Sequence, residues 1–363
     1  MRWSLNLGRI AGIKILVHWT FMILIVWVIV SELNKGNDWG TIWLTIGYVL
    51  SIFACVILHE LGHALMARQY NIKTRRITLL PIGGVASLEK MPEEPKKELW
   101  VALAGPIVNV AIAIVLYLFI APLHQYIPDN EEEIVSHITP DNFLFALFSI
   151  NILLVAFNAI PAFPMDGGRV LRALLAMRMD RLRATNIAAK LGQGLSVVFV
   201  ILGFMYNPFL IFIGLFVFLG ANSENMIIHQ LEYAREHKVE EAMITTFENL
   251  SPHDTIEMAT KKLISSSDRA FTVIENGKVE GIISRQDIIQ ALAENKNKKA
   301  PVSQYMTRAY RYFHPRDKLN EALFKLRKEK QDIFPVIENE KTLRGVLTRE
   351  NVQEFIMIQS ALD

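Results

Sequence analysis

The sequence predicts a polytopic α-helical membrane protein joined to a smaller α/β repeat pair, and three observations predict it. The first is composition: of 363 residues, 52% are hydrophobic and 20% are charged, against about 25% charged in ordinary soluble domains. The second is the distribution of charge. From Trp100 to Gly168 there is no Lys or Arg, whereas Gln230 to Asp363 reads as ordinary charged protein. The third is an internal repeat: Phe271–Lys278 (FTVIENGK) recurs as Phe334–Lys341 (FPVIENEK).

A helix of about 20 apolar residues crosses the hydrocarbon core. Six candidates are present: Ile15–Val30, Ile42–Ala67, Leu99–Ala121, Phe143–Ile160, Ala188–Met205 and Pro208–Ala221. Tyr206-Asn207-Pro208 divides the last two, and a short apolar hairpin that dips in and returns is their alternative reading. Basic residues stay on the cytoplasmic side of a membrane. Arg68, Lys73, Arg75 and Arg76 follow the second span, and Arg169, Arg172, Arg178, Arg181, Arg183 and Lys190 follow the fourth. The loop between the third and fourth carries Asp129, Glu131, Glu132, Glu133 and Asp141 without a Lys or Arg. Both termini are therefore expected in the cytoplasm, in a multi-pass protein of the cell membrane. Arg2, Arg9 and Lys14 precede an apolar run too long for a secretory signal, and no small-residue cleavage pattern follows it. Ile77–Leu88 (ITLLPIGGVASL) is apolar but too short to span. It reads as an interfacial strand or as a re-entrant β-hairpin, tolerated where protein buries its backbone.

The repeat extends beyond the strand motif. Met243 matches Met306, Ser251-Pro252 matches His314-Pro315, Asp254 matches Asp317, and Gly281–Ser284 (GIIS) matches Gly345–Thr348 (GVLT). Two copies of about 60 residues, each reading strand, helix, strand, strand, helix, fit a face-to-face pair. The expected organisation is a membrane domain over 1–228, a linker helix over 229–240, and repeat domains over 241–296 and 297–363.

One motif carries chemistry. His59-Glu60-Leu61-Gly62-His63 is an H-E-x-x-H sequence inside the second span. Residues four apart share a helix face, so both imidazoles reach one metal, and Glu60 stands beside them to accept a proton from water. Ionisable residues inside a membrane helix are expensive and mark function by default. The other reading is pairing with polar groups of a bundle, as in a transporter. Zinc on two histidines needs a third protein ligand and an open position. Asp166 is the leading candidate, as the only Asp, Glu or His between Asp141 and Asp180. Its alternative is an N-cap ahead of a helix over Arg169–Met177. Cys55, one turn before His59, is a rival ligand or a small packed hydrophobe. As the sole cysteine it excludes an intrachain disulfide. A net charge of +2 gives no basis for nucleic-acid binding.

Together the motifs resemble the site-2 protease family of intramembrane zinc metalloproteases. HELGH (His59–His63), GGVASL (Gly83–Leu88), GPIVN (Gly105–Asn109) and NAIPAFPMDGG (Asn158–Gly168) stand in the family's order and cover Val17 to about Arg172. The tail resembles the paired cystathionine-β-synthase-like (CBS) domains of the family's prokaryotic branch. The resemblance implies one zinc ion per chain held by His59, His63 and Asp166, with Glu60 as general base. It implies that Asn158 and Pro164 lie near the substrate, and that Gly83 and Gly84 belong to a strand with which substrate pairs. By the same resemblance Asn109 lies near the active site, although it also reads as a bridge between two helices. His18 fits the family too, as an interfacial packing residue. In CBS domains a G-h-h-[ST]-x-x-D stretch contacts the ribose and phosphates of adenosine nucleotides such as ATP, ADP or AMP. The first copy keeps Gly281, Ser284 and Asp287, whereas the second has Gly345 and Thr348 but Asn351 in place of Asp. The other reading of the tail is a ligand-free module for homodimerisation. The implied activity is hydrolysis of peptide bonds in transmembrane segments of protein substrates within the bilayer. A transporter or channel with regulatory CBS domains is disfavoured by the missing second set of intramembrane charges. A non-cutting relative is disfavoured because His59, Glu60, His63 and Asp166 are all present.

Overall fold

The computed structural model describes residues 4–81, 83–88, 92–120, 138–266, 268–294, 298–339 and 342–362. The acidic loop bearing Glu131–Glu133 lies outside the described residues. The chain divides into two units, Met1–Asn225 and Met226–Asp363.

In the first unit, β1 (Ser4–Ile10) and β2 (Ile13–His18) form an antiparallel hairpin. Ala11 and Gly12 both take positive φ, 51° and 87°, the turn whose twist matches that of the strands. The apolar run Ile15–Val30 is thus two elements: its first residues complete β2, and α1 (Thr20–Asn34) carries the rest. A short apolar run does not separate strand from helix by periodicity. α2 (Trp39–Gln69) is capped by Asp38, whose side chain accepts from the Thr41 amide at 3.1 Å. β3 (Thr74–Leu80) and β4 (Gly83–Leu88) join β1 and β2 in a four-stranded sheet in chain order, with β2 and β3 parallel. Ile13, Ile15 and Ile77 of this sheet bury against Leu61 and Ala64 of α2. The sheet therefore packs on the turn that carries the H-E-x-x-H motif.

α3 (Pro95–Ile120) begins on a proline, which suits a first helical position. A glycine brings it close to α2: a Cβ on Gly62 would stand 2.7 Å from the Ala104 carbonyl oxygen. Small residues let membrane helices approach in this way. α4 (Phe143–Ala159), α5 (Asp166–Ala176), α6 (Arg181–Met205) and α7 (Phe209–Glu236) follow. α2, α3, α6 and α7 are long and apolar enough to cross a membrane, while α1 and α4 are shorter apolar helices. Large apolar side chains such as Trp27, Phe204 and Phe212 are exposed along them, as lipid-facing surfaces require.

The second unit holds two related halves. The first contains α8 (Val239–Ala242), β5 (Asn249–Leu250), α9 (Ile256–Ser265), β6 (Ala270–Glu275), β7 (Lys278–Ser284) and α10 (Arg285–Glu294). The second contains α11 (Leu319–Lys328), β8 (Phe334–Ile337), β9 (Leu343–Leu347) and α12 (Arg349–Leu362). In the second half the leading strand shrinks to one bridge, Phe313 to Val336. The halves also exchange their leading segments. Val239 and Ala242 lie in the core of the second half with Phe313, Phe334 and Ile356, and Ile244 bridges Val346. Val302 and Met306 lie in the core of the first with Phe271 and Ile283, and Thr307 bridges Ile282.

Candidate metal centre

Three buried side chains converge: His59 and His63 from α2, and Asp166 from the first turn of α5. Their facing atoms form a triangle. His59 Nε2 and His63 Nε2 are 3.1 Å apart, and each lies 3.1 Å from Asp166 Oδ2. A tetrahedral zinc ion with bonds of about 2.0–2.1 Å holds its ligand atoms about 3.3–3.4 Å apart, so the triangle fits such an ion.

The far side of each ring decides what the triangle holds. His63 Nδ1 lies 2.7 Å from the Val101 carbonyl oxygen, which can only accept, so that nitrogen is the donor. His59 Nδ1 meets Asn109 Oδ1 at 3.0 Å in the same sense. As neutral rings, both therefore turn an unprotonated Nε2 inward, toward a carboxylate oxygen. Three lone-pair donors at this spacing repel one another unless a cation lies among them. Outer hydrogen bonds of this kind fix the tautomer and orientation of metal-binding histidines.

The backbone leaves room for the cluster at one point. A Cβ on Gly105 of α3 would stand 2.2 Å from His63 Nε2 and 2.7 Å from His59 Nε2. Gly105 is the floor of the site.

Asp166 owes its position to the two glycines after it. A Cβ on Gly167 would stand 2.3 Å from the Ile160 carbonyl oxygen, and one on Gly168 would stand 2.5 Å from the Ala162 carbonyl carbon. The loop from Pro161 to Pro164 thus folds back onto the start of α5. Met165 is the N-cap residue and makes no side-chain cap bond, and the Asp166 carboxylate faces the histidines instead of capping the helix. Cys55 is buried one turn away and takes no part in the cluster; its Sγ receives the Asn151 amide at 3.5 Å.

The remaining residues fall into distinct places. A Cβ on Gly84 would stand 2.9 Å from Glu60 Cγ, which sets β4 directly against Glu60, and Gly83 holds a φ of 134° at the start of that strand. Asn109 is 1% exposed and sits behind His59, bridging α3 to α2. Asn158 donates to the Leu154 carbonyl oxygen at 2.9 Å in the last turn of α4. Pro164 packs on α7, where a Cβ on Gly220 would stand 2.5 Å from its Cδ. His18 contacts the Thr20 hydroxyl at 2.8 Å at the β2–α1 junction.

Sequence reasoning missed the buried ion cluster beside the site. Arg172 of α5 donates through Nε to Glu98 Oε1 at 2.8 Å and through Nη1 to Glu224 Oε1 at 2.7 Å. Its Nη2 also contacts Glu98, and its guanidinium lies 5.0 Å from the centre of the Phe163 ring. The signal was available: Arg172 follows Asp166 on the same short helix, and Glu98 directly precedes the third apolar run. Arg172 reads from the sequence only as loop charge, and Glu98 is not singled out.

In the tail, Ser284 and Thr348 precede α10 and α12 and close local turns. Asp287 Oδ2 accepts from the Ser284 amide at 2.8 Å and from its hydroxyl at 2.7 Å. Asn351 Oδ1 accepts from the Thr348 amide at 2.8 Å, while its Nδ2 donates to the Ala242 carbonyl oxygen. A carboxylate cannot make that last bond, which gives the Asn at this position a structural reason.

Comparison with known proteins agrees with this architecture. Residues 47–203 match peptidase family M50, and residues 239–294 and 302–358 match the CBS domain. The chain is 32% identical over 360 residues to the zinc metalloprotease MJ0392 of Methanocaldococcus jannaschii, spanning 99% of this chain and 97% of that one. It is 28% identical over 308 residues to Rip3 of Mycobacterium tuberculosis, spanning 79% of this chain and 76% of the relative. The solved site-2 protease from Methanocaldococcus jannaschii is 37% identical, with a TM-score of 0.45, covering 61% of this chain and 95% of that one. With a relative alike from end to end and an M50 match that encloses the His59–His63 motif and Asp166, the chain belongs to the site-2-type zinc metalloproteases of peptidase family M50 that carry paired CBS domains.

Proposed function

We propose that this protein hydrolyses peptide bonds within or beside transmembrane segments of membrane proteins, using one zinc ion held by His59, His63 and Asp166. The observation that carries the reading is the triangle of buried donor atoms that His59 and His63, on a helix long and apolar enough to span the membrane, form with Asp166 of α5. His59, His63 and Asp166 would hold the zinc ion, which would supply a water with its pKa brought toward about 7 and polarisation of the scissile carbonyl. Glu60 is one residue from His59 and beside β4, so its carboxylate accepts the water proton and returns it to the leaving amine. A substrate helix hides its carbonyls in its own hydrogen bonds and must unwind first. β4 is an edge of the sheet and lies against Glu60, so substrate unwound there gains main-chain partners by strand addition. In this reading Asn158, at the end of α4, and Pro164, in the loop that delivers Asp166, lie along the same approach.

The six apolar helices all cross the bilayer in this reading, with β3–β4 re-entering it and both termini cytoplasmic. The tail binds an adenosine nucleotide, pairs with a second copy, and biases cleavage. Nucleotide alters cleavage only by binding two arrangements of the tail differently.

The central test is Glu60→Gln in purified full-length protein. Zinc content should stay at about one per chain while cleavage of a transmembrane test substrate is lost, because an amide cannot accept the proton. Cleavage at the wild-type rate in that variant would remove Glu60 from the mechanism.

A further inference from the structure

Asp166 presents its two oxygens to different partners. Oδ2 faces both imidazole nitrogens, whereas Oδ1 faces Arg169 Nη1 at 3.7 Å. Residues three apart share a helix face, and the start of α5 is clamped by Gly167 and Gly168 against the preceding loop. Arg169 is thus held over the outer oxygen of the carboxylate. Its neighbour one turn on, Arg172, is saturated by Glu98 and Glu224. Arg169 makes no such hydrogen bonds among the described residues: its Nε is buried without a hydrogen-bond partner, its Nη1 pairs with Asp166, and Glu60 and Glu224 lie within its electrostatic reach.

We propose that Arg169 is a positioning residue that keeps Asp166 a single-oxygen donor to the metal. The proposal rests on the zinc reading above. A carboxylate free to turn about its Cβ–Cγ bond can offer both oxygens to one cation. A zinc site that works on water needs three protein donor atoms and an open position, and a second carboxylate oxygen would fill it. Turning Oδ1 inward would take the paired carboxylate oxygen from a guanidinium that is only 28% exposed, which is costly. The separation of 3.7 Å is an ion pair rather than a tight hydrogen bond. Charge, more than a particular donor geometry, is therefore the property that matters, and Lys should replace Arg.

The test is the visible spectrum of the full-length protein with cobalt(II) in place of zinc, since d–d bands are intense in four-coordinate sites and weaken as coordination number rises. Wild type and Arg169→Lys should give intense bands. Arg169→Gln and Arg169→Met should bind cobalt with bands weakened severalfold, and their zinc affinity in chelator competition should shift by roughly 10–100-fold. Two neutral variants guard against one of them misfolding. Unchanged bands in either neutral variant, or weakened bands in the Lys variant, would overturn the role of Arg169 and leave the metal site standing. Failure of wild type itself to take up cobalt would instead sink the zinc reading on which the proposal depends.

Discussion

Gly105 lies where two helices and two imidazoles leave no room for a methyl group. Gly105→Ala would put carbon 2.2 Å from His63 Nε2, and neither ring can retreat without losing Val101 or Asn109. The variant should accumulate in the membrane yet retain well under one zinc per chain, read by metal analysis after dialysis. Stoichiometric zinc would mean that the rings bind metal from another direction. The tail offers a second test at this scale. Asp287 spends Oδ2 on its own turn and keeps Oδ1, whereas both polar atoms of the Asn351 side chain are committed. Losing one charge-assisted hydrogen bond costs roughly 1.5–3 kcal/mol, about tenfold to a hundredfold in affinity. In calorimetry with ATP, ADP and AMP, Asp287→Ala should weaken binding far more than Asn351→Ala, and equal losses would sink the asymmetry. The departure at Asn351 was legible in the sequence. Its cause was not, because Ala242 lies far away along the chain.

The elements that deliver the metal ligands are tied together by buried charge. Arg172 links α5 to Glu98 of α3 and Glu224 of α7, so the helix of Asp166 is fastened to the helix of Gly105 and Asn109. Arg172→Met would take from Glu224 its hydrogen-bonding guanidinium and leave Glu98 with Arg181 at 3.5 Å, and should cost about 3–5 kcal/mol. Removing Glu98 and Glu224 as well, by Leu substitutions, should recover much of that loss in thermal unfolding in detergent. If the triple variant were no more stable than the single one, charge pairing would not be the source of the cost. Most helices were legible because lipid demands long apolar runs, and the H-E-x-x-H turn declared itself by its polar residues in such a run. Two features were not. β1 was invisible because Ala11 starts a turn normally opened by Asn, Asp or Gly, and no signal marked the join between the last apolar run and the helix expected over 229–240, since α7 runs unbroken from Phe209 to Glu236.

At the scale of the whole molecule, the proposed topology predicts which residues face the outside. In a Cys55-free background, a cysteine at position 132 should react with a membrane-impermeant thiol reagent added outside, and one at 178 should not. The opposite pattern would move the metal centre to the other face. The exchange of segments between the halves of the tail has a separate consequence, in the order of synthesis. Met306 and Thr307 emerge about 25 residues after Ile282, so the first half finds its missing piece almost at once. Ile244 must wait about a hundred residues for Val346, or about 5–20 s at ribosomal rates of about 5–20 residues per second. During that interval Val239 and Ala242 are apolar side chains without a core. The second half is therefore the last piece of the tail to close, although one of its core segments is the first to be made.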